Sequence, residues 1–185
     1  MAKLIYFTPT SLDGYIADDG NFDWATPDEE WFPFINDLLR PIATYLYGRR
    51  TYETMAVWET PDVLPGLKPD MLDFARIWQA ADKIVYSKSL ATVCTPKTRL
   101  ERDFDPQVVG DLKTQLPRDV LVGGPELAGH AIRDGLVDEY HLLVVPAMLG
   151  GGRRVLPGNA GVRLELLDER RFTNGTVYLR YRTRT

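Results

Sequence analysis

The chain has 185 residues, 44% of them hydrophobic and 26% charged, which suits one globular domain with a continuous core and leaves no tract poor enough in apolar residues to stay disordered. A formal net charge of −4 with a pI near 5.2 excludes the broad basic surface that tracks nucleic-acid phosphates, so no nucleic-acid partner is expected. Cys94 is the only cysteine and His130 and His141 the only histidines, none at a ligand spacing, so no disulfide within the chain and no metal site is expected, and a reducing, cytoplasmic setting follows. The first residues lack the apolar core of a signal peptide. No stretch approaches the roughly 18 apolar residues of a membrane span, so no membrane partner is expected either.

Lys3 to Pro9 is short and rich in Ile, Tyr and Phe, as a buried first strand is, and Ser11 to Gly20 supplies the Gly and Asp of a loop. Thr26-Pro27-Asp28-Glu29 reads as a helix start, with Thr26 at the cap, Pro27 at the first helical position and Glu29 completing a capping box. The helix is expected to run to about Leu39, because Trp31, Phe34, Ile35, Leu38 and Leu39 recur at spacings of three and four. Thr44 to Tyr47 is a second strand ending at Gly48, and a short helix over Arg49 to Met55 leaves it. Pro61 to Pro69 is a loop, Asp70 to Ala80 a helix, and Lys83 to Tyr86 a third strand ending at Ser87-Lys88. Thr98 to Glu101 is a weak edge strand, Pro106 to Gln115 a helix, Val120 to Val122 a strand, and Glu126 to Arg133 a helix entered through Gly123-Gly124-Pro125. This alternation predicts parallel pairing. Glu139 to Leu149 reads as one long apolar strand, and after Gly150 to Gly152 two strands, about Val162 to Phe172 and Thr176 to Arg182, flank Asn174-Gly175, a type I′ hairpin signal. The C-terminal third is therefore expected to add antiparallel strands to a mainly parallel sheet.

The segment VLVGGPEL, Val120 to Leu127, ends a buried strand in two glycines and opens a helix, so backbone N–H groups can approach a phosphate and the helix N-terminus adds partial positive charge. The alternative is a tight turn with Pro125 at the first helical position. Gly48-Arg49-Arg50-Thr51 and Ser87-Lys88 also come directly after predicted strands, which puts all three segments on the C-terminal edge of a parallel sheet, where open α/β sheets bind ligands. Guanidinium and ammonium groups beside hydroxyls match a 2′-phosphate, which favours NADPH over NADH, although any one of these cations alone reads as a solvated charge.

SLDGYIA, the Asp23-Trp24 pair, GRRTYE, IVYSKSL, LVGGPELA, VDEYHLLVVPAMLGGG and FTNGTVYLRY occur here in an order that resembles the dihydrofolate reductase-like superfamily, across essentially the whole chain and most of all its riboflavin biosynthesis reductase branch. The resemblance implies one domain over 1–185, a three-layer α/β/α fold with a central mixed, mainly parallel sheet and a C-terminal antiparallel hairpin. It also implies an NADPH-dependent reductase. Gly48, Arg49, Arg50 and Thr51 then look like cofactor phosphate contacts, Ser87 and Lys88 like the 2′-phosphate pocket, and Gly123, Gly124, Pro125, Glu126 and Leu127 like the pyrophosphate cradle. The family often has a cis peptide between the paired glycines, so one is expected at Gly123-Gly124. The first loop resembles the segment that covers the nicotinamide, with Ile16 and Ala17 beside the ring.

Hydride transfer needs a proton for the atom next to the reduced carbon. By resemblance the source is an acid early on the first helix, which selects Asp28 before Trp31-Phe32 or, counted from Trp24, Glu29; both also suit the first turn as dipole and capping residues. Asp13, Tyr15 and Trp24 are the expected substrate contacts, Asp13 together with Gly14 shaping the loop, and Tyr15, Trp24, Trp31 and Trp58 could stack on a flat heterocycle, with core packing the alternative for Trp31. The function implied is reduction of a small heterocyclic substrate, similar to 5-amino-6-(5-phosphoribosylamino)uracil reduction; a pterin reductase and a non-catalytic NADP-binding protein are the alternatives. Tyr15 stands where the riboflavin enzymes commonly have Lys, which weakens the case for a phosphorylated substrate. A homodimer contact is expected around Leu142 to Leu149 and the turn after it.

Overall fold

The computed structural model describes residues 1–16, 23–25, 28–64 and 66–184. In chain order these form β1 (Leu4–Ser11), β2 (Tyr15–Ile16), α1 (Trp31–Leu39), β3 (Thr44–Gly48), α2 (Arg49–Met55), α3 (Pro69–Ala80), β4 (Asp82–Tyr86) and β5 (Thr98–Glu101). Next come α4 (Pro106–Gln115), β6 (Val120–Gly123), α5 (Pro125–Arg133), β7 (Glu139–Val145), β8 (Arg153–Arg154), β9 (Leu164–Arg171) and β10 (Val177–Thr183). Eight strands make one sheet in the order β5-β4-β3-β6-β1-β7-β10-β9. The first six of these pair in parallel, and β10 and β9 add the antiparallel C-terminal hairpin.

Strand alternation divides the core between the two faces of the sheet. Ile5, Tyr45, Tyr47, Leu121 and Leu143 pack with Trp31, Ile35 and Leu39 of α1 and Phe74 and Trp78 of α3. Their alternates Leu4, Tyr6, Leu46, Val120 and Val122 pack with Val109 of α4 and Leu127, Ala131 and Ile132 of α5. The result is the three-layer α/β/α arrangement.

Three local expectations are corrected. The first helix starts at Trp31 rather than near Pro27, and Glu30 at its N-cap makes no side-chain cap; Thr26 and Pro27 lie outside the described residues. Pro33 explains the late start, since it has no N–H to give and is tolerated only in a first turn, whereas a helix begun at Pro27 would hold it in the interior at a cost of about 3 kcal/mol. β7 ends at Val145 because Pro146 cannot continue the ladder. At the last hairpin Gly175 has φ +86° but Asn174 does not have positive φ, so the turn is not type I′. Gly175 N–H donates to Phe172 O, and Phe172 N–H to Thr176 O, a three-residue loop closed by a left-handed glycine.

Candidate active site

Each of β3, β4 and β6 ends at the same edge of the sheet, and each strand end opens into a different connection. Gly48 leads directly into α2, and Tyr47 lies opposite Gly123 in the ladder between β3 and β6, so the two glycine junctions sit side by side. A Cβ at Gly123 would come within 2.7 Å of Tyr47 Cε1, and one at Gly124 would collide with Thr51 Oγ1. Gly124 has φ +88° and caps α5 with no side chain, leaving the helix N-terminus open to a ligand. The Gly123-Gly124 peptide is trans, contrary to expectation; no cis peptide occurs among the described residues, and the positive φ of Gly124 alone redirects the chain.

Beyond β4, Ser87 Oγ accepts N–H groups of Ser89 and Leu90, while Arg102 holds the same turn by donating to the carbonyls of Ser87 and Leu90. Arg49 reaches across from α2, its Nε 2.8 Å from Glu53 and its Nη1 3.2 Å from Ser89 Oγ. Lys88 pairs with Asp103 at 3.0 Å with both side chains largely exposed, a contact that costs little to exchange for another anion. Two cations and two serines thus gather at the ends of β3 and β4, the chemistry that a phosphate monoester requires.

Next to this edge lies a cavity of about 470 Å³. Ile16, Arg50, Thr51, Gly123, Gly124 and Pro125 are among its lining residues. The other lining residues are rich in aromatics, among them Trp31, Phe32, Tyr45, Tyr47, Trp58 and Trp78, and also include Thr8, Thr54, Ile35 and Arg153. The Tyr45 and Tyr47 rings stack at 5.6 Å, and burial pushes both hydroxyls up from their ordinary pKa, so they stay protonated. Trp58 and Phe74 meet edge to face at 4.6 Å.

The remaining sequence candidates are placed elsewhere. Asp13 accepts N–H groups of Leu149 and Gly150 and the Ser11 hydroxyl; the Ser11 bond foremost, with those of Gly150 and Leu149, holds its carboxyl below the usual range. Its place is at the glycine-rich turn, not on the cavity wall. Tyr15 pairs with Arg154 across the short β2–β8 ladder, with the guanidinium over its ring, and Trp24 packs on the core. Asp28 accepts the N–H groups of Glu30 and Asn174, so it ties the start of α1 to the last hairpin, and Glu29 is exposed. Neither acid is among the described residues that line the cavity. Glu126 pairs with Arg153 at 2.8 Å, Leu127 is buried in the core, and Ala17 lies outside the described residues.

Sequence reasoning missed Tyr45, Tyr47, Phe74, Trp78 and Arg153 as cavity residues. A signal was present for the first four: Tyr45 and Tyr47 share a strand face, and Phe74 and Trp78 share a helix face at a spacing of four. Arg153 reaches the site only through the tertiary pairing of Ile16 with Arg153.

A model of the RibD C-terminal domain matches residues 2–178. The chain belongs to the RibD C-terminal domain family. This family member is 27% identical to the uncharacterized protein YyaP of Bacillus subtilis (strain 168), over 97% of this chain and 94% of that one. Its fold matches a crystal structure from Shewanella sp. PV-4, assigned by name to riboflavin biosynthesis, with a TM-score of 0.78 at 21% identity over the whole of both chains. It also matches the dihydrofolate reductase of Enterococcus faecalis, complexed with NADP(H), with a TM-score of 0.68 at 14% identity over 99% of this chain and 97% of that one. These likenesses fix the fold as that of the dihydrofolate reductase-like enzymes.

Proposed function

We propose that this protein is a reductase that uses NADPH to reduce a small heterocyclic substrate. One observation carries the reading: the open glycine junction of α5 and the cations after β3 and β4 share one sheet edge with an aromatic cavity. Gly123 to Leu127 would face the pyrophosphate, Arg49, Ser87 and Lys88 the 2′-phosphate, Arg50 and Thr51 the neighbouring phosphate oxygens, and Ile16 with Ala17 the nicotinamide. Bound NADPH supplies the hydride for an unsaturated carbon of the substrate. The aromatic walls exclude water and hold the flat acceptor against the cofactor end of the cavity. Family membership points first to reductions related to riboflavin biosynthesis, with a pterin reductase the neighbouring alternative, in a cytoplasmic homodimer.

Replacing Arg49 or Lys88 with Ala tests the phosphate assignment. Loss of a charge-assisted contact should weaken NADPH about tenfold or more and leave NADH nearly unchanged. Equal loss for both cofactors would defeat the assignment.

A second reading, a dinucleotide-binding protein without turnover, draws support from the lack of any carboxylate among the described residues lining the cavity. NADPH oxidation with any member of a heterocycle panel separates the two readings.

A further inference from the structure

Arg50 and Arg153 are the only charged side chains among the described residues that line the cavity, and they come to it from elements far apart in sequence. Arg50 stands in the first turn of α2, next to Thr51, whose hydroxyl fills the space that a Cβ at Gly124 would need. Arg153 arrives from β8, with its guanidinium 2.8 Å from the carboxylate of Glu126 in the first turn of α5. Both arginines therefore meet the Gly123-Gly124 junction, one through Thr51 and the other through Glu126.

The backbone enforces the placement of Arg153. Gly152 has φ +111°, and a Cβ there would come within 2.9 Å of the Ile16 carbonyl oxygen, so glycine lets β8 lie this close to β2. Ile16 pairs with Arg153, Val155 N–H donates to Gly14 O at 3.1 Å, and the buried Tyr6 hydroxyl donates to Val155 O at 2.8 Å, which ties β8 to the centre of the sheet. The partners of the ion pair are unequally solvated. The Arg153 side chain is 23% exposed and that of Glu126 77%, so the cation is largely withdrawn from water while the carboxylate keeps most of its hydration. Such a contact is weak, and another anion replaces the carboxylate at little cost. A cation beside a helix N-terminus is also unfavourable unless an anion lies between them, and Glu126 is the acid that the first turn of α5 supplies. A phosphate ester meets the same need better, because its oxygens match the guanidinium fork and the backbone N–H groups together.

Resting on the reductase reading, we propose that Arg153 is a cofactor-binding residue: its guanidinium and that of Arg50 take the diphosphate of the dinucleotide between them at the glycine junction, and Glu126 is the counter-ion that Arg153 exchanges for a phosphate oxygen when the cofactor enters. Because Arg153 pairs with Ile16, the same residue couples the diphosphate to the strand assigned to the nicotinamide. The diphosphate is common to NADPH and NADH, so Arg153 adds affinity without discriminating between them, unlike Arg49 and Lys88.

Calorimetric titration of the full chain with NADPH, NADH and adenosine 2′-monophosphate tests this, the last carrying a 2′-phosphate and no diphosphate. Arg153→Gln keeps the backbone ladder between β2 and β8 and should weaken NADPH and NADH by the same factor, about tenfold or more, with adenosine 2′-monophosphate unchanged. Arg153→Lys, which keeps the charge and loses the fork, should recover part of that loss. Glu126→Gln, a change at an exposed side chain, removes the competing anion and should tighten both dinucleotides about two- to fivefold. Unchanged dinucleotide affinity in Arg153→Gln would overturn the proposal and leave Arg153 to the fold or to an anionic group of the substrate. A loss confined to NADPH, or weaker adenosine 2′-monophosphate binding, would overturn it in favour of the 2′-phosphate pocket, and weaker dinucleotide binding in Glu126→Gln would overturn the exchange of counter-ions. If the wild-type chain binds neither dinucleotide, the reductase reading itself falls and this assignment falls with it.

Discussion

Replacing Gly124 with Ala probes the junction on which the cofactor edge is built. Its backbone, φ +88° and ψ 131°, lies close to the region reserved for glycine, so any other residue there carries strain on the order of 1–3 kcal/mol. The added Cβ also collides with Thr51 Oγ1, and moving the first turn of α2 away from a packed neighbour adds about 1–3 kcal/mol. Gly124→Ala should therefore lose about 2–6 kcal/mol in urea denaturation, a large share of a stability that is typically about 5–15 kcal/mol. Thr51→Ala removes the obstructing hydroxyl, so the double variant should recover the collision but not the strain, with a coupling of about 1–2 kcal/mol. A single-variant loss under about 0.5 kcal/mol, or a double variant with no recovery, would refute the claim that the two junctions are locked against each other.

Acid should destabilise the fold in two stages. Burial pushes the Glu139 carboxyl up, but Arg180, Lys3 and His141 outweigh burial and hold it at about 2, so it contributes stability on the order of 3 kcal/mol that is complete above its ordinary value of 4.5 and lost as pH falls to about 2. Burial also lowers the pKa of His141, so the unfolded chain takes up that proton first and stability begins to fall below about pH 6.5. Urea midpoints measured from pH 7 to 2 check both, and Glu139→Gln should flatten the lower stage. Asp13→Ala should speed hydrogen exchange at the Leu149 and Gly150 amides, which it otherwise accepts; unchanged exchange would contradict its placement at that turn. Asp28→Ala should cost about 1–2 kcal/mol by freeing the Glu30 and Asn174 amides, whereas Glu29→Gln should stay within about 0.5 kcal/mol and keep any turnover. Abolished turnover at unchanged stability in Glu29→Gln would restore that acid as a proton donor.

The strand–helix alternation was legible because each element carried its own period and punctuation: α4 and the strand over Thr98–Glu101 stand where the sequence places them, and Gly48 and Gly123 mark the junctions. Reading failed where a single residue competes with a local motif. The capping box at Thr26 to Glu29 is persuasive alone, but Pro33 forbids a helix that starts so early, and the hairpin turn recruits Asp28. Asn174-Gly175 looks like a two-residue turn until the bond from Asn174 N–H to Asp28, which only tertiary structure supplies, is seen. At the site, glycines and cations announce themselves by position, whereas Tyr45 and Trp78 read as core, and it is the tertiary fold that brings them to the cavity.

Titration of the purified protein with NADPH and with NADH at fixed salt, monitored by tryptophan fluorescence, tests the central claim most directly, since Trp31, Trp58 and Trp78 all line the cavity. Saturable binding of NADPH at least about tenfold tighter than NADH is the predicted result, as expected for one charge-assisted phosphate contact. Binding of neither dinucleotide would contradict the assignment of this sheet edge to a cofactor.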